Sequence, residues 1–513
     1  MNEYDDERLD AEQQQVREID LPAVVRHWEK VAISYSRHNN IPAIIGFYSI
    51  LGDLVKRFIE IPYGQTTTDT RIHNVWIQTA RSGKTTLVMY VLTPVAKKIY
   101  EDLEDDEYVQ SEVLNLADYT TAALVGDHLH NENYRENAEE IYANEMEEID
   151  NNMVMDIDER TQAIRDATTK RDNTKERWHI EYGPLHGEGV WFADEFEGSG
   201  VFKDKAHKEN MNILFQTIMN NFHSGANQYH KILKGKPTIE LDSKHTMLAL
   251  TFPPEKLKTT ITDKGILQRF LPYIWDVPDD ILTEMRKEVI GGFGTTVERQ
   301  GPPLHLTKGI LEIYKITKNQ FENNGKDTLK TISYHPSAKD SLDMEHDNLL
   351  RYIDNLQTDT RSAIRLFEMN LLEYMGKLAV LNTLAMAKNV PVEQRFIVYP
   401  QNVRQGAYIV RKCYMTLVEW LENNIRESNK TLINKSGFKE FQHAYQLLLD
   451  RAKPQERLEG GYVWKKAFLA EARKVLAQSP STTSRKFNKI NEMFEEIKRG
   501  TKVYIRPKKQ KEE

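Results

Sequence analysis

A single cysteine, Cys413, stands in a chain of 513 residues, which excludes an intramolecular disulfide framework and a cysteine-rich zinc site and agrees with a reducing compartment. Cys413 itself reads as a helix-core filler. No stretch is apolar over the roughly 18 residues that a membrane span needs, so no membrane partner is expected. The opening residues, MNEYDDERLDAEQQQ, are acidic and polar where a secretory signal would carry a basic start and an apolar run. The reading is a cytoplasmic protein. Internal repeats are absent, and the tail PKKQKEE is the only low-complexity tract. The histidines are scattered, with no His/Asp/Glu grouping at metal-ligand spacing, so no metal site built from protein ligands alone is expected.

What is present is a balance of 40% hydrophobic and 28% charged residues with a mean hydropathy of -0.61. That fits a soluble globular chain, and on about 100–200 residues per domain it allows two to four domains. The net charge, 69 minus 77 or -8, argues against a surface coated for nucleic acid. The average hides an asymmetry. From Gly461 to Glu513 there are 14 Lys and Arg against 6 Glu and no Asp, or +8, which leaves -16 on the first 460 residues. A basic module on an acidic body delegates nucleic-acid contact to particular elements.

Along the chain, Val24, Val25, Trp28, Val31 and Ala32 recur at helical spacing, which predicts a small helical N-terminal region over residues 1–65. Short apolar runs at Asn74 to Gln78, Glu112 to Tyr119, Gly189 to Ala193, Thr246 to Thr251 and Leu271 to Trp275 predict five buried strands. Helical stretches separate them. This pattern defines an α/β core over 66–285 with a mainly parallel sheet. A charged helical insertion is expected at about 128–180, a helical domain at 286–430 and a basic module at 431–513.

The segment Gln78-Thr79-Ala80-Arg81-Ser82-Gly83-Lys84-Thr85-Thr86 follows the first of these strands and opens a helix. It matches a phosphate-binding loop, with Gln78 where the first glycine is expected; a chance GKT at a helix start is the alternative. A helix start offers free N–H groups and positive dipole, Gly83 allows close backbone approach, Lys84 can reach β- and γ-phosphate oxygens, and Thr85 can ligate Mg²⁺. ATP and Mg²⁺ are the expected ligands. The run Gly189 to Ala193 ends in Asp194-Glu195, a pair suited to holding Mg²⁺ through its water shell and to polarising an attacking water. A strand ending in a polar turn would look the same. Thr251, at the end of its strand, is placed to sense the γ-phosphate or is simply a terminating threonine. Arg269, flanked by apolar residues, is costly to bury without an anionic partner. It reads as an arginine finger for a neighbouring subunit or as half of an internal salt bridge.

The order SGKTT, DYTTAALVGD at Asp118 to Asp127, VWFADEFE, a strand ending TFPP, and GILQRFLP resembles the P-loop ATPases of phages, plasmids and mobile elements. Those proteins are associated with primase and helicase functions and are related to superfamily III helicases in the AAA+ class. The resemblance covers about Leu21 to Leu381. It implies an AAA+/RecA-like P-loop NTPase core forming a hexameric ring in the cytoplasm, that of the host if the protein is viral. Thr121 and Leu124 would mark a segment that helps shape the site. No primase-type carboxylate or zinc module precedes the ATPase, and the usual sensor asparagine is represented by Thr251. A primase or other replication protein is therefore a candidate partner.

In superfamily III helicases a hairpin before the sensor strand enters the ring pore. Here Tyr229 to Leu241 brackets Lys234-Gly235-Lys236 with alternating arms, which predicts such a hairpin; a solvated turn is the alternative. The C-terminal module reads as a helix over Gly461 to Gln478, a turn, a second helix over Thr482 to Arg499 bearing Arg485, Lys486 and Lys489, and a strand over Gly500 to Arg506. That order fits a winged-helix-like DNA-binding unit, a protein-binding one, or a helical cap. Arg361 and Arg365 could form a second phosphate sensor or salt bridges within the helical domain. The expected function is an ATP-dependent helicase or translocase on single-stranded or forked DNA. The alternatives are a terminase-like packaging ATPase and a non-motor ATP switch.

Overall fold

Val25, Trp28 and Ala32 fall on one side of helix α1 (Ala23–Tyr35) and are buried, with Trp28 Nε1 donating to the Ala43 carbonyl of α2 (Asn40–Val55) at 2.8 Å. Residues Ile41 to Val55 of α2 are all buried, which makes α2 an internal helix, apolar all round. The computed structural model describes residues 19–116, 121–130, 134–152, 155–172, 178–194, 196, 205–233, 236–253, 266–292, 301–322, 330–434, 436–451, 457–458, 461–476, 483–484, 487, 494–500 and 502–507. It divides into two units, Met1–Trp420 and Leu421–Glu513.

The helical N-terminal region ends sooner than its periodicity suggests. Ile59–Tyr63 (β1) and Thr66–Thr68 (β2) form an antiparallel hairpin, and its turn includes Gly64 at φ 61°. Strand β3 (Asn74–Gln78) follows, buried at every residue. The expected helix after the loop is built as α3 (Lys84–Leu87), a π-helical turn Val88–Leu92, and α4 (Thr93–Glu101). Next come β4 (Ser111–Leu116), α5 (Thr121–Val125) and β5 (Gly126–His130). The charged insertion is a helical pair, α6 (Tyr134–Asn151) and α7 (Ile157–Asp172), carried on an antiparallel ribbon of β5 and β6 (Trp178–Tyr182). The core resumes with β7 (Gly187–Ala193), α8 (Lys205–Met219), β8 (Gln228–Lys231), β9 (Ile239–Thr251) and β10 (Leu271–Trp275).

Five of these strands form one parallel sheet in the order β10-β3-β9-β7-β4. Both faces are covered, as parallel sheets require. Thr246 of β9 donates to Asp53 of α2 at 2.8 Å, while Trp191 of β7 lies 5.9 Å from the Phe215 ring of α8. Trp191 is in register with Met247, one residue from Thr246. The pleat therefore puts α2 and α8 on opposite faces. Strand β9 is longer than its apolar run, because Ile239 to Asp242 pair antiparallel with β8 beyond the parallel sheet.

The amino edge of the sheet is held by buried ion pairs. Lys56 at the end of α2 meets Asp53 at 2.9 Å and Glu188 of β7 at 3.1 Å, and Arg57 also reaches Glu188. Arg71 pairs with Asp69 at 2.7 Å and donates to the Ile218 carbonyl at 3.0 Å, placing a cation on the carboxyl end of α8. Burial alone would raise the Asp69 pKa, yet Arg71 and Lys377 hold it well below the usual carboxylate range.

The helical domain contains α9 (Asp279–Gly292), α10 (Thr307–Glu322), α11 (Pro336–Asp354), α12 (Thr358–Arg365), α13 (Glu368–Met386) and α14 (Pro400–Asn434). It is not wholly helical: β11 (Lys330–Thr331) joins β1, and β12 (Ser333–Tyr334) pairs with β13 (Ile397–Val398). Gly406 lets α14 cross α13 closely, since a Cβ there would sit 2.8 Å from the Met375 carbonyl. Cys413 is fully buried in α14, and burial pushes its thiol pKa up.

The second unit holds α15 (Ser436–Arg451), β14 (Arg457–Leu458), β15 (Tyr462–Trp464), α16 (Lys465–Leu476), β16 (Phe494–Arg499) and β17 (Lys502–Pro507). The sequence reading is corrected twice here. The first predicted helix begins with a strand, and Phe494 to Arg499 is a strand where a helix end was expected. Phe-Glu-Glu-Ile-Lys-Arg has fair helix propensity, but pairing with β17 across Gly500, at φ 59°, buries Phe494 against Phe468 and Phe487 and overrides it.

His245 of β9 is fully buried, and burial, then the nearby Lys56 charge, pushes its pKa down to about 3. The burial of His73 shifts it the same way. The unfolded chain binds a proton on each near pH 6.5 and the native chain does not. Their contribution is complete above that pH and is lost as pH falls toward the native value. Between about pH 6 and 4, His245 alone should lower the unfolding free energy by about 1.4 kcal/mol per pH unit, with His73 adding in the same direction. His245→Gln should remove one such increment from the slope measured by urea unfolding at several pH values. An unchanged slope would contradict the burial argument.

Candidate functional site

The loop between β3 and α3 is bent by two left-handed residues, Arg81 at φ 62° and Gly83 at φ 84°. Arg81 is the only described non-glycine residue with positive φ. Such strain persists only where the surroundings enforce it, and left-handed residues within a turn line up N–H groups into an anion-binding concavity. The enforcing contacts come from the corner between α1 and α2. Asn39, fully buried, donates to the Ser82 carbonyl at 2.9 Å and accepts from Gln78 Nε2 at 3.0 Å. Ser36 Oγ donates to the Gly83 carbonyl at 3.0 Å, and Ser82 Oγ to the Thr79 carbonyl at 2.5 Å.

This bracing explains why Gln78 stands where a glycine was expected. Its side chain is buried and turned inward, accepting from Trp76 Nε1 and bonding Asn39 and the Ser82 carbonyl. A glycine could not make these bonds. Lys84 Nζ lies over the loop, donating to the carbonyls of Gln78 and Thr79. Ala80, Arg81, Thr85 and Thr86 are exposed.

Strand register brings other predicted residues to the same carboxyl edge. Ile77 is in register with Thr251, Trp275 with Gln78, and Ala193 with Ala249. Asp194, directly after β7, is half-buried at that edge. Thr251 is buried, its hydroxyl donating to the Phe252 carbonyl at 3.1 Å. Glu195 lies outside the described residues. Asp276, which the sequence reading missed, accepts from Thr79 Oγ1 at 3.2 Å and ties the loop to the end of β10. Leu124 is fully buried in α5, which begins at Thr121.

Arg269 is not at this edge. Within Ile266 to Phe270 it alone is exposed, so the expected burial cost does not arise. It precedes β10, whose first residue pairs with Asn74 at the amino edge. Arg365 pairs with Asp354 at 2.6 Å, and Arg361 donates to the Leu356 carbonyl at 3.1 Å, both within the helical domain.

The predicted hairpin is present as β8 and the start of β9, with Tyr229 in register with Leu241. It springs from the amino end of β9, opposite Thr251. Lys236 Nζ sits 4.1 Å from the Trp178 ring centroid on the neighbouring ribbon, and Ile232 is 76% exposed. Lys234 lies outside the described residues, as do Arg485, Lys486 and Lys489. Among the described residues no group of three His, Cys, Asp or Glu could hold a metal ion, and no helix is long and apolar enough to cross a membrane.

The sequence reading also missed Ser36 and Asn39, because they act from a distant helix corner and carry no local motif. No protein-family model matches the chain, and no curated protein matches it in sequence.

Two substitutions test the bracing. Asn39→Ala leaves Gln78 Nε2 and the Ser82 carbonyl short of a buried partner and should cost about 1–3 kcal/mol. Gly83→Ala places a Cβ 2.5 Å from Ser36 Oγ at a positive φ and should cost about 1–3 kcal/mol. Both are read from denaturant midpoints. Wild-type stability for Gly83→Ala would show that the loop does not need its left-handed turn.

Proposed function

We propose that this chain is an ATP-dependent nucleic-acid motor: a ring-forming helicase or translocase of a virus or mobile element, acting on single-stranded or forked DNA. The observation that carries the reading is the braced, left-handed loop at a helix start on the carboxyl edge of a parallel sheet. The strand order supports it. From β3 the chain crosses to the far edge at β4, steps back through β7 and β9, and passes β3 to reach β10. The crevice beside β3 is thus a topological switch point, where open α/β sheets take their ligands.

In this reading the N–H groups of the loop and the first turn of α3 hold the ATP phosphates, with Lys84 turning from the loop carbonyls to the β/γ oxygens. Mg²⁺ would be held by Thr85 and, through water, by Asp194, and would neutralise charge building on the phosphates. Glu195, next in sequence, would polarise the attacking water, and Thr251 would sense the γ-phosphate from the adjoining strand. Gln78 supports the loop from behind.

Arg269 lies at the opposite edge, about 17 Å away for a five-residue strand. It is out of reach of its own loop and exposed, which favours action on a neighbour's phosphates in a ring of six. The hairpin also lies away from the loop, so a DNA contact there would leave the ATP site intact. A winged-helix arrangement of the second unit draws support from its order of helix, strand, helix and terminal hairpin.

Lys84→Ala should abolish ATP turnover, and Glu195→Gln should bind ATP without hydrolysing it. Arg269→Ala should bind ATP but turn over slowly, and mixing it with Lys84→Ala should restore part of the activity. Single-stranded DNA should stimulate the wild type. Wild-type hydrolysis by Glu195→Gln would overturn the base assignment, and no rescue in co-assembled subunits would overturn the trans arginine. In a separate test, the double substitution Lys234→Ala, Lys236→Ala should flatten the salt dependence of single-strand binding by up to about 1.4 log units per log salt, at roughly 0.7 per phosphate contact. Basal ATPase should survive. An unchanged slope would make the hairpin a solvated turn.

A further inference from the structure

The four-stranded sheet of the second unit runs β14-β15-β17-β16, and its two faces differ in kind. One face carries Val463, Phe494 and Ile505, which join Phe441, Phe468 and Phe487 in the core of the unit. Alternation along the strands puts a different set on the other face. Register resolves that set into three rows. Tyr462, Arg506 and Glu495 form the first: Glu495 accepts from the Tyr462 hydroxyl at 2.7 Å and from Arg506 at 2.8 Å, so its charge is neutralised. Trp464, Tyr504 and Ile497 form the second; Tyr504 is buried, so the half-buried Trp464 and Ile497 are its accessible members. Arg499 and Lys502, in register with each other and both exposed, form the third.

We propose that this face binds single-stranded nucleic acid, a base stacking on Trp464 while Arg499, Lys502 and Lys466 take the adjoining phosphates. Trp464 is half-buried and already attracts cations: Lys502 Nζ lies 5.0 Å and Lys466 Nζ 6.0 Å from its ring centroid. Both lysines are exposed, and an exposed ammonium over a ring is a weak contact that a stacked base outcompetes. Displacement of the ammonium costs little, because it moves to a phosphate within the length of its own side chain. Trp464 and Ile497 beside the exposed Arg499 and Lys502 match the base and backbone edges of one strand. A duplex hides its base faces and fits less well. The charge of the chain agrees, since its positive excess is concentrated from Gly461 onward. This site differs from the Arg485, Lys486 and Lys489 group that the sequence points to, and from the hairpin of the first unit.

The inference rests on the nucleic-acid part of the motor reading and is independent of the ATP site. The test uses the full chain without nucleotide and oligothymidylate carrying 5-iododeoxyuridine. Ultraviolet cross-linking should give an adduct in the peptide that contains Trp464. Trp464→Ala and Lys502→Glu should each weaken binding about tenfold by fluorescence anisotropy, while Trp464→Phe, which keeps a stacking ring, should recover most of the loss. Lys502 is exposed, so its variant tests the site even if Trp464→Ala misfolds. Equal affinity in wild type and Lys502→Glu, with cross-links mapping elsewhere, would overturn this site alone. No binding of the oligonucleotide by the wild type would overturn it together with the nucleic-acid reading. Stronger binding of duplex than of single strand would overturn the stacking argument.

Discussion

One buried amide, that of Asn39, joins the parts on which the first unit depends. It sits at the corner between α1 and α2 and bonds both the Gln78 side chain and the Ser82 carbonyl. A buried amide must satisfy its donors and acceptor or lose their solvation, so this contact fixes where the helix corner lies against the end of β3. The helix α2 that leaves this corner covers one face of the sheet along its length, bonding Ile72 through Ser49 and Thr246 through Asp53. A loop with two left-handed residues would otherwise relax. Here the same corner that packs the sheet holds the loop bent.

The two edges of the sheet are treated oppositely. At the amino edge, Lys56, Asp53, Glu188, Arg71, Asp69 and Lys377 are buried and paired. Burying such pairs brings modest net stability, but removing one partner strands a charge, so the network penalises any shifted packing of α2, α8 and β7. At the carboxyl edge the polar groups are of another sort: backbone N–H groups at a helix start, a lysine resting on carbonyls, and a half-buried aspartate. One edge buries its charges in ion pairs, and the other holds a half-buried lysine on the loop carbonyls beside the start of a helix. That contrast is what a phosphate ligand would exploit.

The parallel core was legible because buried strands read as short apolar runs, and β3, β7 and β10 lie where those runs predict. The turn and helix start after β3 were legible locally too, from a glycine that follows an apolar run. What escaped were features settled by tertiary pairing. Phe494 to Arg499 looks helical until β17 is beside it, and the polar stretch Asp242 to His245 gives no sign that the hairpin arm and the apolar run after it are one strand, β9. Gln78 seemed a defect in a glycine motif because its partner, Asn39, is 39 residues away in sequence. Arg269 seemed buried by its neighbours, since Ile266, Leu267 and Phe270 are, but the turn rotates it alone into solvent.

The central claim, that the loop from Thr79 to Thr86 is a phosphate site, is tested most directly by amide hydrogen exchange with and without Mg²⁺ and a non-hydrolysable ATP analogue. The account predicts slowed exchange at the amides of Arg81 to Thr86, with the amino edge around Arg71 and Glu188 unchanged. Saturating analogue with no slowing in that loop, or with protection confined to another part of the chain, would contradict it.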